Sequence, residues 1–316
     1  MGDGYMPVPD LYENPLSVLK KRRQQMRLLY LGFYCVCFAL LASLLFLNVD
    51  YALWIVPVIL FLMMAFYPLT VFLFRLEYKK YLIDFLCKAT GFSFSPSGYF
   101  GDKTLVAHGI PIHPIAWSYR HKHEDAFKGS VAGVPCVIQE VVYAGDKYAK
   151  RAVNNFPRDM FPWRWIFVSL KVGRRHDAHT IIVPEESSAK TMAKTLRGLN
   201  RVHIVSGDFE NHYEVFSSDQ VVSRAYLTPD RIEAFTALAQ GRNMRDVQIS
   251  FRGDDLLICF RSSSPLLAVP RFSFLSKDRQ DRDYLKNCLE VFFSDLQAIE
   301  HMLQQMGIAD IKSTAF

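Results

Sequence analysis

The chain has 316 residues, half of them hydrophobic, with 37 Lys+Arg against 31 Asp+Glu and a formal net charge of +6. Residues 1–88 hold 9 Lys+Arg and 6 Asp+Glu, and the remaining 228 hold 28 and 25, so the basic excess is dense only at the N-terminal end. With no basic stripe and no recognised motif, this distribution excludes a nucleic-acid groove and suits anionic lipid headgroups.

Residues 1–27 read as a cytoplasmic tail. Its first 19 residues carry Pro7, Pro9 and Pro15 with three acidic residues, and are expected to be disordered or to lie along a membrane face. Two uncharged apolar segments follow, Leu28–Leu47 and Ala52–Phe74. Twenty helical residues rise about 30 Å, the thickness of a bilayer's hydrocarbon core. Residues 28–74 therefore read as a transmembrane helical hairpin, too long and too quickly repeated for a signal peptide. Lys20, Lys21, Arg22, Arg23 and Arg27 precede the first span, and Arg75, Lys79 and Lys80 follow the second. The loop Asn48-Val49-Asp50 has no positive charge. Positive residues stay inside, so both termini are expected in the cytoplasm, with Tyr51 and Trp54 at the outer interface. Pro57 and Pro68 lie in the second span, where a partner helix can repack around them.

Residues 75–90 alternate apolar and basic side chains at helical spacing and read as an amphipathic juxtamembrane stalk. Gly91–Gly98 reads as a linker opening a cytoplasmic domain over 91–316. Strands are predicted at Val134–Tyr143, Trp165–Val172, Thr180–Val183, Val202–Val205 and His212–Phe216. Val247–Phe251 and Leu256–Phe260 flank Arg252-Gly253-Asp254-Asp255, a hairpin signal. Helices are predicted at Ala189–Leu199, Asp219–Leu227, Pro229–Gln240 and Arg282–Met306. The last has an apolar stripe from Leu285 through Leu303 that suits a core. Strands in runs with helices mostly late predict an α+β fold around a mainly antiparallel sheet. Cys35, Cys37, Cys87, Cys136, Cys259 and Cys288 are scattered without paired spacing, as small hydrophobes in a reducing compartment would be.

The segment Asp208–Gln240 is dense in local signals. Ser217 with Gln220 has capping-box spacing, and Thr228-Pro229-Asp230 is a second helix start. Its plain reading is two capped helices; the alternative places Asp219 and Arg224 in a binding site. The pattern Tyr213, Val215, Phe216, Asp219, Arg224, Leu227, Thr228 and Pro229 resembles the signature of an uncharacterised bacterial family with two N-terminal membrane helices and a cytoplasmic domain of unknown function. Asp125, Gly129 and Glu140 resemble a second motif of that family, and Leu256–Phe260 a third. Ala225 departs from it, since an aromatic usually stands there and Tyr226 follows instead. The resemblance implies the bacterial inner membrane and a LemA-type membrane protein as a companion. It implies no known activity.

Cys136, Ile138, Glu140 and Val142 share one strand face. A carboxylate among apolar neighbours must be paired or neutral, so Glu140 reads as an internal ion pair or, alternatively, a catalytic acid. His121 with His123, and His176 with His179, are near-pairs in segments that read as polar loops, with no zinc spacing. Gly145–Trp165 is basic and aromatic, a surface loop or a contact with membrane or partner. No GxSxG, HExxH, P-loop or GxGxxG occurs, and no cofactor is expected. Two uncharged spans offer no ion pathway. The expectation is a non-enzymatic scaffold that holds membrane lipids, a second membrane protein and copies of itself. The alternative is a membrane-bound hydrolase or metal-dependent enzyme using Glu140, Asp125 and nearby histidines.

Overall fold

The computed structural model describes residues 8–47, 52–109, 120–144, 163–185, 198–204, 207–240, 245–262, 265–267 and 278–308. Most of the predicted helix 189–199, nearly all of the aromatic loop 145–165 and the outer loop 48–51 lie outside the described residues. The chain divides into two compact units, one of residues 1–89 with 269–289 and one of residues 90–268 with 290–316.

The first unit is helical. Helix α1 spans Val8–Leu47 and α2 spans Ala52–Thr90, each containing a segment long and apolar enough to cross a membrane. Helix therefore begins at Val8, inside the tail expected to be disordered, and Pro57 and Pro68 do not end α2. The two helices are joined by aromatic contacts. Phe33 stacks on Phe66 with centroids 4.0 Å apart, Tyr30 lies 6.2 Å from Phe66, and the Tyr34 hydroxyl donates to the Met63 carbonyl at 2.9 Å. Beyond the apolar spans the pattern changes. Phe74, Tyr78, Leu82 and Leu86 recur every fourth residue and are all buried. Leu19 and Arg23 of α1 are buried as well, with the Arg23 guanidinium 5.9 Å from the Phe74 ring centre. The C-terminal helix, which begins at Asp278, contributes the buried Leu285 and Leu289, with Cys288 beside Tyr78. The stalk is thus a packed helical stretch, and its apolar stripe has protein partners.

Among the described residues, the second unit is built on an antiparallel sheet of seven strands: β1 Ser93–Ser95, β2 Arg120–Val131, β3 Val134–Ala144, β4 Trp163–Pro184, β5 Asn200–Val202, β6 Tyr213–Ser217 and β7 Arg245–Ser262. β1 falls in the expected linker, and β2 holds His121 and His123, which read as a polar loop. A two-residue turn joins β2 to β3, with Ala132 at φ 49° and Gly133 at φ 79°. Both central residues in the left-handed region is the type I′ geometry that matches strand twist.

Two strands double back. Arg261 Nε lies 3.0 Å from Asp246 Oδ2, although fifteen residues of straight strand would separate them by about 50 Å. β7 is therefore a hairpin centred on Gly253-Asp254, with Gly253 at φ 60°, as Arg252-Gly253-Asp254-Asp255 predicts. The first arm of β4, Arg164 to Lys171, pairs antiparallel with the second arm of β7, Ser262 to Asp255. Thr180 to Ile182 pair antiparallel with Phe251 to Ile249 on the first arm of β7. Two antiparallel partners of an antiparallel hairpin must themselves oppose, so β4 also reverses, between Lys171 and Thr180. The β7 hairpin sits inside the wider β4 hairpin. β3 continues the sheet from the first arm of β4, and β6 followed by β5 from the second.

Both faces of this sheet are covered. One carries α3, Asp102–His108, whose Leu105 joins Val141, Trp165, Phe167, Leu257 and Cys259 in an apolar cluster. The helices on the other face are α5 Gln220–Tyr226 and α6 Pro229–Ala239, preceded by a single turn, α4 Gly207–Glu210. On α6, Phe235 lies 5.7 Å from Phe251, and the residues of α7, Asp278–Gln305, that follow Leu289 pack there too, with Phe292 5.5 Å from Phe127.

Candidate functional site

The nested turns of β4 and β7 bring together polar residues remote in sequence. Opposite the three residues of β7 from Asp255 to Gly253, β4 uses six, from Lys171 to His176. The surplus makes β4 bulge, and His176 and Asp177 project where two open hollows meet, of about 780 Å³ and about 580 Å³. Lys103, His108, Lys171, His179, Arg252 and Asp255 line the larger one. Tyr226, Thr228, Arg231 and Met306 line the smaller.

Lys171, Asp255 and Arg252 at the larger hollow are engaged with the protein. Lys171 Nζ lies 2.5 Å from Asp255 Oδ1, and the Arg252 guanidinium donates to the Ala107 carbonyl at the end of α3. The next carbonyl, that of His108, takes two donors: His179 Nε2 at 2.9 Å and Ser250 Oγ at 2.9 Å. These partners fix the imidazoles. A carbonyl only accepts, so His179 carries its proton on Nε2. Ser250 spends its own proton on the carbonyl, so His108 donates from Nδ1 to Ser250 Oγ at 3.1 Å. Burial pushes the His108 pKa down to about 4 and those of His176 and His179 below the usual histidine range; Arg252 adds to the shift at His108 and His179, and Arg231 at His176.

On the opposite face a hydroxyl cluster ties the strands to α5. His176 Nε2 lies 2.9 Å from Thr180 Oγ1, which lies 2.7 Å from Ser223 Oγ. Ser223 donates to Ser217 Oγ at 2.6 Å, and Asp219 N donates to the same oxygen at 3.1 Å. Thr180, Ser217 and Ser223 are all fully buried. The predicted capping box is replaced by a different cap. Asp219 is the N-cap residue, its carboxylate accepting from Val221 N at 2.8 Å and Val222 N at 3.1 Å, and Ser217 holds the turn from beneath. Thr228 caps α6 by position, with Pro229 first in the helix, but its hydroxyl makes no cap hydrogen bond. The His176 ring packs 4.5 Å from Tyr226, over which Arg231 lies at 4.1 Å. Arg231 donates onward to the carbonyls of Tyr226 and Met306, ending α5 and closing the C-terminal turn after α7.

The sequence-predicted residues fall in separate places. Glu140 is fully buried between β2 and β4, paired with Arg164, and its second oxygen accepts from Leu266 N at 3.0 Å. Burial raises its pKa, Arg164 and the Leu266 amide pull it down, and the nearby Asp125 raises it. Arg164 also lies 3.6 Å from Glu124. Asp125 is buried beside this cluster, whereas Asp219 is exposed on the cap and Arg224 is exposed on α5. His123 Nδ1 lies 2.6 Å from Gln139 Nε2, apart from Glu140 on the other sheet face. The side chain of His121 lies outside the described residues. Among the basic residues flanking the spans, Lys20, Lys21, Arg22, Arg75 and Lys80 are exposed, Lys79 and Arg27 are half-buried and Arg23 is buried. Arg22 lies 3.5 Å from Glu77. Sequence reading missed His108, Thr180, Ser223 and Ser250. The usable signal was the polar side chain at an inward position of an apolar strand, as at Ser250 in Val247–Phe251.

The nested hairpins, the hydroxyl cluster and α5–α7 lie in the part of the chain that a family model matches. Residues 164–303 match a family of proteins of unknown function (DUF3137). The DUF3137 match begins at Arg164, the partner of Glu140, and takes in Asp219 and Arg224, while Asp125, Glu140 and α1–α3 lie before it. Among curated proteins none matches the chain. Among solved structures, the crystal structure of the mycobacterial trehalose monomycolate transport factor A, TtfA, aligns over 69% of this chain and 90% of its own, at a TM-score of 0.34 and 6% identity.

Proposed function

We propose that the chain is a membrane-anchored, non-enzymatic interaction module: α1 and α2 cross the bacterial inner membrane as a hairpin, and the α+β unit works in the cytoplasm as a scaffold. The observation that carries this reading is the apolar exterior of the two long helices. Leu28 is 63% exposed, Phe61 69% and Met64 77%, in segments without a charged residue. Such surfaces need lipid or protein around them. The basic flanks and the uncharged outer loop support cytoplasmic termini. The engagement of polar groups supports binding over catalysis. Both Glu140 oxygens are taken by Arg164 and Leu266, and Asp219 caps a helix. The resemblance to a family that accompanies LemA-type proteins makes a membrane protein of that type the expected partner, alongside a second copy of this chain.

The test is purification of the tagged full-length protein from its native membrane in a gentle detergent, with mass spectrometry of what accompanies it. A stoichiometric membrane partner supports the scaffold. A partnerless monomer that turns over a substrate overturns it. Reporter fusions at residue 316 check the topology, with cytoplasmic activity expected.

A further inference from the structure

We propose that Gln139 and His123 form a proton-sensitive clasp on residues 97–101, the strap between β1 and α3, and that the strap loosens when His123 takes up a proton on Nδ1. Gln139 is fully buried on β3, and its side-chain amide serves the strap as a strand partner would. Oε1 accepts from Tyr99 N at 2.8 Å and Phe100 N at 3.2 Å, and Nε2 donates to the Phe100 carbonyl at 2.9 Å. Backbone N–H groups only donate and carbonyls only accept, so these three bonds fix which end of the amide is nitrogen. The fit is close: a Cβ on Gly98 would lie 2.7 Å from Gln139 Oε1. The second hydrogen of Nε2 goes to His123 Nδ1, 2.6 Å away. That ring nitrogen is therefore the acceptor, and the ring carries its proton on Nε2. A proton on Nδ1 sets two donors against each other, and this bond is lost. The amide cannot turn its oxygen to the ring without breaking its three bonds to the strap. If the half-exposed ring swings out instead, an amide hydrogen is left buried without an acceptor. Either response weakens the clasp. Phe100 packs on the cluster of Leu105, Val141, Trp165 and Phe167, so a loosened strap uncovers one side of that core. The carboxylates of β2 and β3, Glu124, Asp125 and Glu140, belong to the Arg164 cluster on the opposite sheet face. On the strap, Tyr99 has Lys128 of β2 at 5.9 Å over its ring; Asp102 and Lys103 begin α3, and His121 and Lys122 precede His123 on β2.

The closed clasp excludes a proton from Nδ1 and the open one admits it, so acid favours opening, by up to about tenfold for each pH unit. The test is hydrogen exchange with mass spectrometry on the full chain in detergent from pH 7.5 to 5, corrected for intrinsic exchange. The amides of Tyr99 and Phe100 report the clasp directly, since both donate to Gln139. Their protection should fall as the pH drops through the histidine range while that of β7 persists. His123→Asn places an amide oxygen where Nδ1 stands, accepts without titrating, and should keep the strap protected at every pH. His123→Leu offers no acceptor and should leave the strap weakly protected at every pH. Wild-type protection that stays level to pH 5 or falls together with β7 overturns the proposal. So does an asparagine variant that responds to pH as wild type does, or a leucine variant as well protected at pH 7.5 as wild type.

Discussion

The ring of Phe92 occupies the space that any side chain at Gly129 would need. A Cβ built on Gly129 would lie 2.1 Å from Phe92 Cδ1 and 2.6 Å from Cε1. Phe92 is buried as the chain enters β1, and β1 pairs with β2 at Ser93 and Lys128, next to this glycine. The aromatic thus fills the gap a strand glycine leaves, and Gly129 is required for β1 to reach the sheet. Gly129→Ala should destabilise the α+β unit by about 1–3 kcal/mol through overpacking. Gly129→Ala combined with Phe92→Leu should recover part of that loss, which thermal melts of the two variants would show.

Asp219 satisfies two amides at the start of α5, and its carboxylate is exposed. Asp219→Ala should lower stability by about 1 kcal/mol, and Asp219→Asn by less, since an amide oxygen also accepts. Partner capture from membranes should be unchanged in the alanine variant. Lost capture at an unaltered melting temperature would assign Asp219 to a binding surface.

Arg164 neutralises a carboxylate that has no exposure to water. Arg164→Met should destabilise by about 3–5 kcal/mol, because Glu140 is left charged and buried. Adding Glu140→Gln should restore much of the loss, since the amide oxygen still accepts from Leu266 N. Denaturant titration of the two single variants and the double variant measures the coupling.

Asp295, on α7, has its pKa raised to about 7 by burial. A carboxyl whose folded pKa is raised stabilises fully below its unfolded value, near 4, and loses that contribution as pH climbs toward 7. Asp295→Asn should therefore melt above wild type at pH 8, with the gain shrinking steadily to pH 4. His108 acts oppositely, stabilising more as pH rises from about 4 to 6.5, and His176 and His179, also lowered by burial, act in the same sense. Thermal melts from pH 4 to 8 separate the two, since the asparagine variant should lose more stability on acidification than wild type.

Local chemistry announced much of this molecule. Charge-free runs of twenty and more residues mark α1 and α2, because apolar length is a property of consecutive residues. Arg252-Gly253-Asp254-Asp255 announced the β7 hairpin, as turn geometry is written in the residues that make it. The stripe from Leu285 to Leu303 announced a core helix, and the isolated Glu140 among apolar neighbours announced a buried pair. The motif around Asp219 indicated the region that the family match covers. β2 was missed because His121, Lys122, His123 and Glu124 read as solvated chain, while pairing with β3 overrides that local preference.

The sequence alone determined the long apolar helices, the α+β class and the places of most elements, because periodicity and turn residues act over a few neighbours. Only the tertiary structure decided that one hairpin nests within another, that Arg164 is the partner of Glu140, and that His108, His179 and Ser250 meet at one carbonyl. Those contacts join residues 24 to 142 positions apart. Partners so distant along the chain are chosen by sheet register and by the packing of helices on its faces, which no local run of residues specifies.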